Sequence, residues 1–556
     1  MTAMMKQKLP DEALRIASIL TEMDVSQDAR VGVCLKRGKE QIAAVLGILA
    51  VGAAYVTIGY TQPLERRKAI CSLADIRVVI TAQEQKESFP NQAELLFIDD
   101  VKNASMLHSL LNVSADCLAY IIFTSGSTGV PKGVMIRHDA AMNTIQTMNE
   151  MYGISEKDTV LQVSAMDFDL SVYDIFGLLS VGGKVVLIPQ GSQVDAKELY
   201  RRSVAHRVTV WNSVPALLEM MLFVAEDSGE KNHDLRLAFI SGDWIPMDLP
   251  KRFNTYAPMG KFVSLGGATE GSIWSNYYEV NLPIPETWSS IPYGHPLKNQ
   301  AYRVVNDRGE DCPDYVRGEL WIGGEGVASG YVGNESETEK RFLECKENRW
   351  YRTGDYGRFW KDGTIEFLGR MDHQVKIRGH RIETEEIENI FLKNDKVAQA
   401  VVLPVGENKA EHLAAFLVPV EKMVEEKMPY MNIVCREGTT VAVNEPDEAK
   451  VRQLTARYIL SFFEQYGIEW KKGAEFTFDV EHEIIGISPL YRQLVKSWLQ
   501  LLVDENLIEK IDEGKYRILC NLGQVGENIS IPEYEKLAEH TMKNAMPLIR
   551  GTVSSV

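Results

Sequence analysis

Ten consecutive residues have the types and order needed to hold a polyanion. Thr124-Ser125-Gly126-Ser127-Thr128-Gly129-Val130-Pro131-Lys132-Gly133 follow the apolar run Ala119-Tyr120-Ile121-Ile122-Phe123. Glycines and small hydroxyl residues let backbone N–H groups approach phosphate oxygens, and Lys132 adds a point charge. The spacing is not that of a Walker loop. A shorter Ser/Gly stretch reads as a turn, whereas ten such residues directly after a strand read as a phosphate cradle. Other candidates have two readings each when taken alone. Asp355 could cap a turn, Glu270 could start a helix, Gly379 could close a hairpin, Asp169 could be a solvated loop carboxylate, and Tyr173 and Trp274 could be core packing.

The elements that must position these residues can be read from texture. From about residue 11 to 300, helical patterns such as EQIAAVLGILAVGAAY alternate with short β-rich runs such as KVVLIP and RVVIT. That alternation predicts an α/β fold with largely parallel sheets covered on both faces. Between about 300 and 372, short strands and glycine turns (GELWIGG, DGTIEFLGR) predict a small β-rich subdomain. The Lys/Glu-rich stretch from about 405 to 450 reads as a linker. After it, LTARYILSFFEQYGI and LYRQLVKSWLQLLVDENLIEK carry apolar residues at helical spacing and a short GKYRI strand follows, a winged-helix-like combination.

Bulk properties narrow the function. A chain of 556 residues is too long for one core. Its net charge of -17 without a basic run disfavours nucleic acid. The seven cysteines contain no CxxC pair, which argues against a disulfide framework or zinc site and for a reduced cytoplasm. The start MTAMMKQKLPDEALRIASIL is too polar for a secretory signal, and no apolar stretch approaches the length of a membrane span.

The Thr124–Gly133 stretch resembles the phosphate loop of the adenylate-forming superfamily, and three further motifs occur in that superfamily's order. They are Gly266-Gly267-Ala268-Thr269-Glu270, Tyr351-Arg352-Thr353-Gly354-Asp355, and Gly369-Arg370-Met371-Asp372-His373-Gln374-Val375-Lys376-Ile377-Arg378-Gly379. The resemblance spans roughly residues 12 to 418. It implies a large adenylation core over 1–372, a partial C-terminal subdomain over 373–420, a linker over 421–450, and over 451–556 a region similar to the start of a methyltransferase insertion. It also implies ATP and Mg2+ as cofactors. ATP would be held by Thr124, Ser125, Gly126, Ser127, Thr128, Gly129, Lys132, Gly267, Ala268, Thr269, Asp355, Phe367 and Arg370. Thr128, Lys132 and Glu270 would be catalytic, Glu270 would hold the metal, and Asp372 would be the hinge.

Asp169, in Met166-Asp167-Phe168-Asp169-Leu170-Ser171-Val172-Tyr173-Asp174, resembles the carboxylate that pairs with a substrate α-ammonium in nonribosomal peptide synthetase adenylation domains. The substrate positions implied are Phe168, Asp169, Leu170, Tyr173, Asn212, Phe239, Ser241, Leu265, Ile273 and Trp274. This set is similar to that of cysteine-activating domains, with Phe239 where Leu is usual. The resemblance therefore implies activation of L-cysteine for a phosphopantetheinyl carrier protein, alongside other synthetase domains.

Three departures are visible. An aromatic that usually flanks adenine is replaced in Gly266-Gly267-Ala268, the opening of the large subdomain is missing, and the late PxxxxGK lysine motif is absent. Leu454 to Leu519 and Pro547-Leu548-Ile549-Arg550-Gly551 resemble the region before a methyltransferase, but no glycine-rich S-adenosylmethionine loop follows. An acyl- or aryl-CoA ligase, or a non-catalytic fragment of a larger synthetase, are the alternative readings.

Overall fold

The computed structural model describes residues 2–420 apart from 91, 126–130, 346–347, 372–373, 378–379 and 406–411, and also 456, 459–460, 463, 468, 470–477, 492–512 and 515–520. For 2–8, 193, 374–377, 380–381, 385 and 492–495 it describes the backbone alone. The chain divides into two units, Met1–Lys427 and Met428–Val556.

The first unit carries two seven-stranded sheets. One runs, in spatial order, Gly330–Tyr331, Lys132–Arg137, Leu118–Thr124, Ala54–Thr57, Arg30–Cys34, Val78–Thr81 and Glu94–Phe97. The other runs His295–Pro296, Asn276–Val280, Lys261–Gly266, Leu237–Ile240, Val210–Ser213, Thr159–Gln162 and Lys184–Leu187. Five neighbouring strands in each are parallel, and the antiparallel pairs lie at one edge. Parallel strands are buried on both faces, and the side chains divide accordingly. Val160, Val210, Phe239 and Val263 belong to the largest core cluster, which also takes Val31, Tyr55 and Tyr120 from the first sheet. The alternate residues Leu161, Trp211, Ala238 and Phe262 pack into a separate cluster with Leu218, Met221 and Phe253.

The run EQIAAVLGILAVGAAY is not one helix. The helix Lys39–Ala50 stops before Gly52, whose φ of +74° turns the chain, and Ala54–Thr57 becomes an interior strand. Tyr55, Val56 and Thr57 favour a pleated, two-sided burial site over further helix.

From residue 300 the sheet is antiparallel, in the order Gln300–Val305, Gly318–Gly324, Asn348–Phe359, Phe342–Cys345, with Ile365–Arg370 also paired to Asn348–Phe359. Then follow the hairpin Gln374–Ile377 and His380–Glu383, the helix Thr384–Leu392, and the strand Val397–Val405 paired with His412–Pro419. A strand thus occupies the start of the stretch read as a linker from about residue 405. Arg66 Nη1 meets Glu386 Oε1 at 3.2 Å, tying this part to the helix Leu64–Leu73.

The second unit contains the helix Arg492–Asp504 and a three-stranded antiparallel sheet ordered Glu475–Thr477, Lys515–Ile518, Ile508–Asp512. Its core includes Phe463, Trp470, Leu499, Leu502 and Tyr516. Residues 421–455 and 521–556, including Pro547 to Gly551, lie outside the described residues. No helix among the described residues is long and apolar enough to cross a membrane.

Candidate active site

Three parallel strands of the second sheet carry candidate residues at their carboxyl ends, where open α/β sheets bind ligands. Asn212 lies one residue from the end of Val210–Ser213, Ser241 follows Leu237–Ile240, and Gly266 closes Lys261–Gly266. A cavity of about 70 Å³ opens there. Phe168, Asp169, Leu170, Ser241, Ile273 and Trp274 form one wall, and Thr353, Asp355 and Arg370 form another, with Gly266 to Thr269 between them.

Asp169 precedes the short helical turn Leu170–Val172 and is 8% exposed. The hydroxyl of Thr269 donates to its Oδ2 at 2.7 Å, so a residue of the Gly266–Glu270 motif fixes the carboxylate beside the cavity. Trp274 Nε1 donates to Ser241 Oγ at 3.0 Å. Behind this wall, Tyr173 and Phe239 pack ring to ring with each other and with Trp274, with centroids 5.0 to 5.9 Å apart. Tyr173 donates to Asn149 Oδ1 at 2.9 Å, and complete burial holds its phenol well above the ordinary range. Asn212 Nδ2 is shared between Leu170 O at 3.2 Å and Asp174 Oδ1 at 2.8 Å. Burial pushes the Asp174 carboxyl up to about 8, against the Asn212 hydrogen bond and the nearby Arg37 charge.

The lining from the antiparallel sheet is charged. Gly354, with φ +72°, lets the long strand bulge so that Asp355 reaches the cavity. Glu319 pins the bulge by accepting from Gly354 N at 3.2 Å and from Arg352 Nε at 3.0 Å. Arg370 Nη1 donates to Asp355 Oδ1 at 2.7 Å and to Thr353 O at 2.8 Å. Phe367 stacks on Tyr293 with 5.0 Å between centroids and 7° between planes.

A model of the AMP-binding enzyme family matches residues 7–332. The chain belongs to the AMP-binding enzyme family. It is 48% identical over 414 residues to the "Anguibactin system regulator" of Vibrio anguillarum, covering 74% of this chain and 39% of that protein. It is 44% identical over 413 residues to pyochelin synthetase PchE of Pseudomonas aeruginosa, covering 74% of this chain and 28% of that protein. The chain therefore spans well under half the length of these relatives. Among solved structures, the AMPPNP-bound form of the nonribosomal peptide synthetase FmoA3 is similar, with 36% identity, a TM-score of 0.62, and coverage of 65% of this chain and 39% of that one. Within the AMP-binding family the chain is an adenylation domain of the nonribosomal peptide synthetase type.

In this adenylation domain, the residues singled out from sequence fall into several groups. Phe168, Asp169, Leu170, Ser241, Gly267, Ala268, Thr269, Ile273, Trp274, Asp355 and Arg370 meet around the cavity. Tyr173, Asn212, Phe239, Leu265 and Phe367 are not on its wall; the first four are buried. Gly126, Ser127, Thr128, Gly129 and Asp372 lie outside the described residues. Thr124 ends its strand and pairs with Lys132, which opens the next one; Ser125 follows directly. The Lys132 side chain is 8% exposed, and its Nζ contacts Glu337 Oε1 at 2.8 Å.

Glu270 is fully buried, and Tyr331 donates its hydroxyl to Glu270 Oε1 at 2.7 Å. Among the described residues no group of three or more His, Cys, Asp or Glu could hold a metal. One carboxylate beside a hydroxyl suits Mg2+, which keeps waters and substrate phosphates as its other ligands. Sequence reasoning missed Thr353, Gly242, Tyr331 and Glu337. Thr353 stood inside a quoted motif and could have been found; Glu337 lies 205 residues from its partner Lys132 and no local pattern links them.

Proposed function

We propose that this adenylation domain uses ATP and Mg2+ to convert an amino acid, L-cysteine, into its aminoacyl-adenylate for transfer to the phosphopantetheine thiol of a carrier protein, in the cytoplasm. The observation that carries the reading is the Thr269–Asp169 hydrogen bond, which couples an ammonium-binding carboxylate to the nucleotide motif across a single cavity. An α-ammonium paired with Asp169 would set the substrate carboxylate beside Thr269 and Glu270, where phosphates bridged by the metal would lie. An oxygen of that carboxylate then attacks the α-phosphorus in line, and the bond to pyrophosphate breaks. Both reactants are bound and oriented, so the protein's work is positioning and charge neutralisation. Asp355 accepts from the ribose hydroxyls, with Arg370 holding it in place.

Cysteine is favoured by the Ser241 hydroxyl on the cavity wall and by the buried Tyr173, Phe239 and Trp274 rings that limit the room beside it. No PxxxxGK segment occurs within residues 380–556. We expect both substrates to bind, and adenylate formation to gain about a hundredfold to a thousandfold when a lysine-bearing C-terminal subdomain is supplied. The test is amino-acid-dependent exchange of labelled pyrophosphate into ATP, across a panel of amino acids, with and without that subdomain. Cysteine should lead serine, alanine and valine, each by roughly 1 to 3 kcal/mol. A large aromatic or basic amino acid as best substrate overturns the cysteine assignment, and exchange driven by carboxylic acids lacking an amino group overturns the whole reading in favour of a CoA ligase.

A further inference from the structure

Lys132 stands near the end of the phosphate-loop motif, yet its ammonium is not directed to open solvent. Its side chain is 8% exposed, and its Nζ lies 2.8 Å from Glu337 Oε1 and 5.6 Å from the centre of the Tyr331 ring. Glu337 is also reached by Arg341 Nε at 3.3 Å. Burial acts to raise the Glu337 carboxyl, but the hydrogen bond and charge of Lys132, together with Arg341, outweigh it and hold the group ionised below its ordinary range. The pair is therefore a charged contact made at low solvent exposure.

The same helix, Glu335–Arg341, grips the Tyr331 backbone. Thr338 Oγ1 accepts from Tyr331 N at 2.9 Å, and a Cβ on Gly330 would come within 2.5 Å of the Thr338 side chain. On its other side the Gly330–Tyr331 strand pairs with Met135 and Val134 of the strand that Lys132 begins. Tyr331 is thus fixed from both flanks, with Lys132 over its ring face and Phe342 at 5.4 Å edge-on. Its hydroxyl ends on Glu270 Oε1 at 2.7 Å.

We propose that Glu337 is a positioning residue for Glu270: it fixes Lys132, Lys132 and the Glu335–Arg341 helix fix Tyr331, and the Tyr331 hydroxyl sets the Glu270 carboxylate for the metal. Lys132 acts here as a strut beneath the metal carboxylate, and the phosphates are left to the loop and the cation. The inference rests on the reading of Glu270 as the magnesium residue. A strut and a direct phosphate ligand make opposite predictions for Glu337. If Glu337 only occupied a phosphate-binding lysine, removing its charge would release that lysine and strengthen ATP binding. If Glu337 supports Glu270, removing its charge weakens metal-dependent binding.

The test is calorimetric titration of ATP into the full chain over a series of Mn2+ concentrations, with melting curves to establish that each variant is folded. Removing a group that orients a metal ligand typically costs about tenfold to a hundredfold in metal affinity, so the Mn2+ midpoint should rise by that factor in both Glu337→Gln and Tyr331→Phe. The double variant should be no worse than the more affected single one, and Glu337→Asp should recover part of the loss. ATP affinity without metal should be unchanged, which a general loss of structure would not allow. Stronger ATP binding in Glu337→Gln, an unmoved Mn2+ midpoint, or equal losses with and without metal each overturn the inference. Glu270→Gln is the separate control. If it too leaves the Mn2+ midpoint unmoved, the metal role of Glu270 fails and this inference fails with it; if it moves the midpoint and Glu337→Gln does not, only the inference fails.

Discussion

The two walls of the cavity are built by different means. The Asp169–Trp274 wall stands on the ends of parallel strands and on a ring cluster that is wholly buried, so its side chains are set by sheet register and core packing. The Asp355–Arg370 wall stands on a bulge in an antiparallel sheet and is set by charged contacts, Arg370 to Asp355 and Arg352 to Glu319. The first can discriminate shape, because packed rings yield little. The second can recognise a polar group common to all nucleotides, because a carboxylate needs only donors at hydrogen-bond distance. On the proposed function, selectivity and general affinity would rest on separate supports, and a change to one should leave the other in place.

The strongest test of that separation is Asp169→Ala. An amino acid bound there would leave its ammonium buried without a partner, at a cost of about 3 to 5 kcal/mol, so calorimetry should show amino-acid binding lost and ATP binding nearly intact. The reciprocal change, Asp355→Ala, removes charge-assisted hydrogen bonds worth about 1.5 to 3 kcal/mol. ATP affinity should drop accordingly while amino-acid affinity, measured without nucleotide, holds. Equal losses on both sides for either variant would mean that the walls act as one.

A smaller effect sharpens the comparison through pH. Asp174 supports the amino-acid wall through Asn212, and burial raises its carboxyl from the ordinary 3.8 to about 8. Between those values the folded chain keeps a proton that the unfolded chain has released, so stability falls as pH rises through that window, by at most about 1.4 kcal/mol per pH unit. It is fully present only below about pH 4. Asp174→Asn, which cannot ionise, should flatten the slope of melting temperature between pH 5 and pH 8 (roughly the raised window) relative to the parent. An unchanged slope would show that Asp174 is not the group responsible.

The candidate motifs could be read from the sequence because they are local. The phosphate-loop run after Ala119–Phe123, the Thr269–Glu270 pair and the Asp355 motif are contiguous stretches, and the α/β alternation that supports them is a periodic pattern in the chain. Local patterns fail where a glycine resets the backbone. The helical run through Ala50 continues smoothly in hydrophobicity, yet the positive φ of Gly52 ends the helix and gives Tyr55 and Val56 to the sheet.

What only the tertiary structure decided is which of the named residues meet. Asp169 and Thr269 are 100 positions apart and share a hydrogen bond. Tyr173, Asn212 and Phe239 carry the pattern of a substrate pocket, but register and burial place them one layer behind the wall. Lys132 reads as a phosphate ligand from its motif, and Glu337, from a helix far along the chain, neutralises it. The physical reason is common to all three. Residue types and spacing specify what a group can do, whereas a buried charge or amide takes whichever partner the packing of distant strands brings within about 3 Å, and that partner decides what the group has left to offer a ligand.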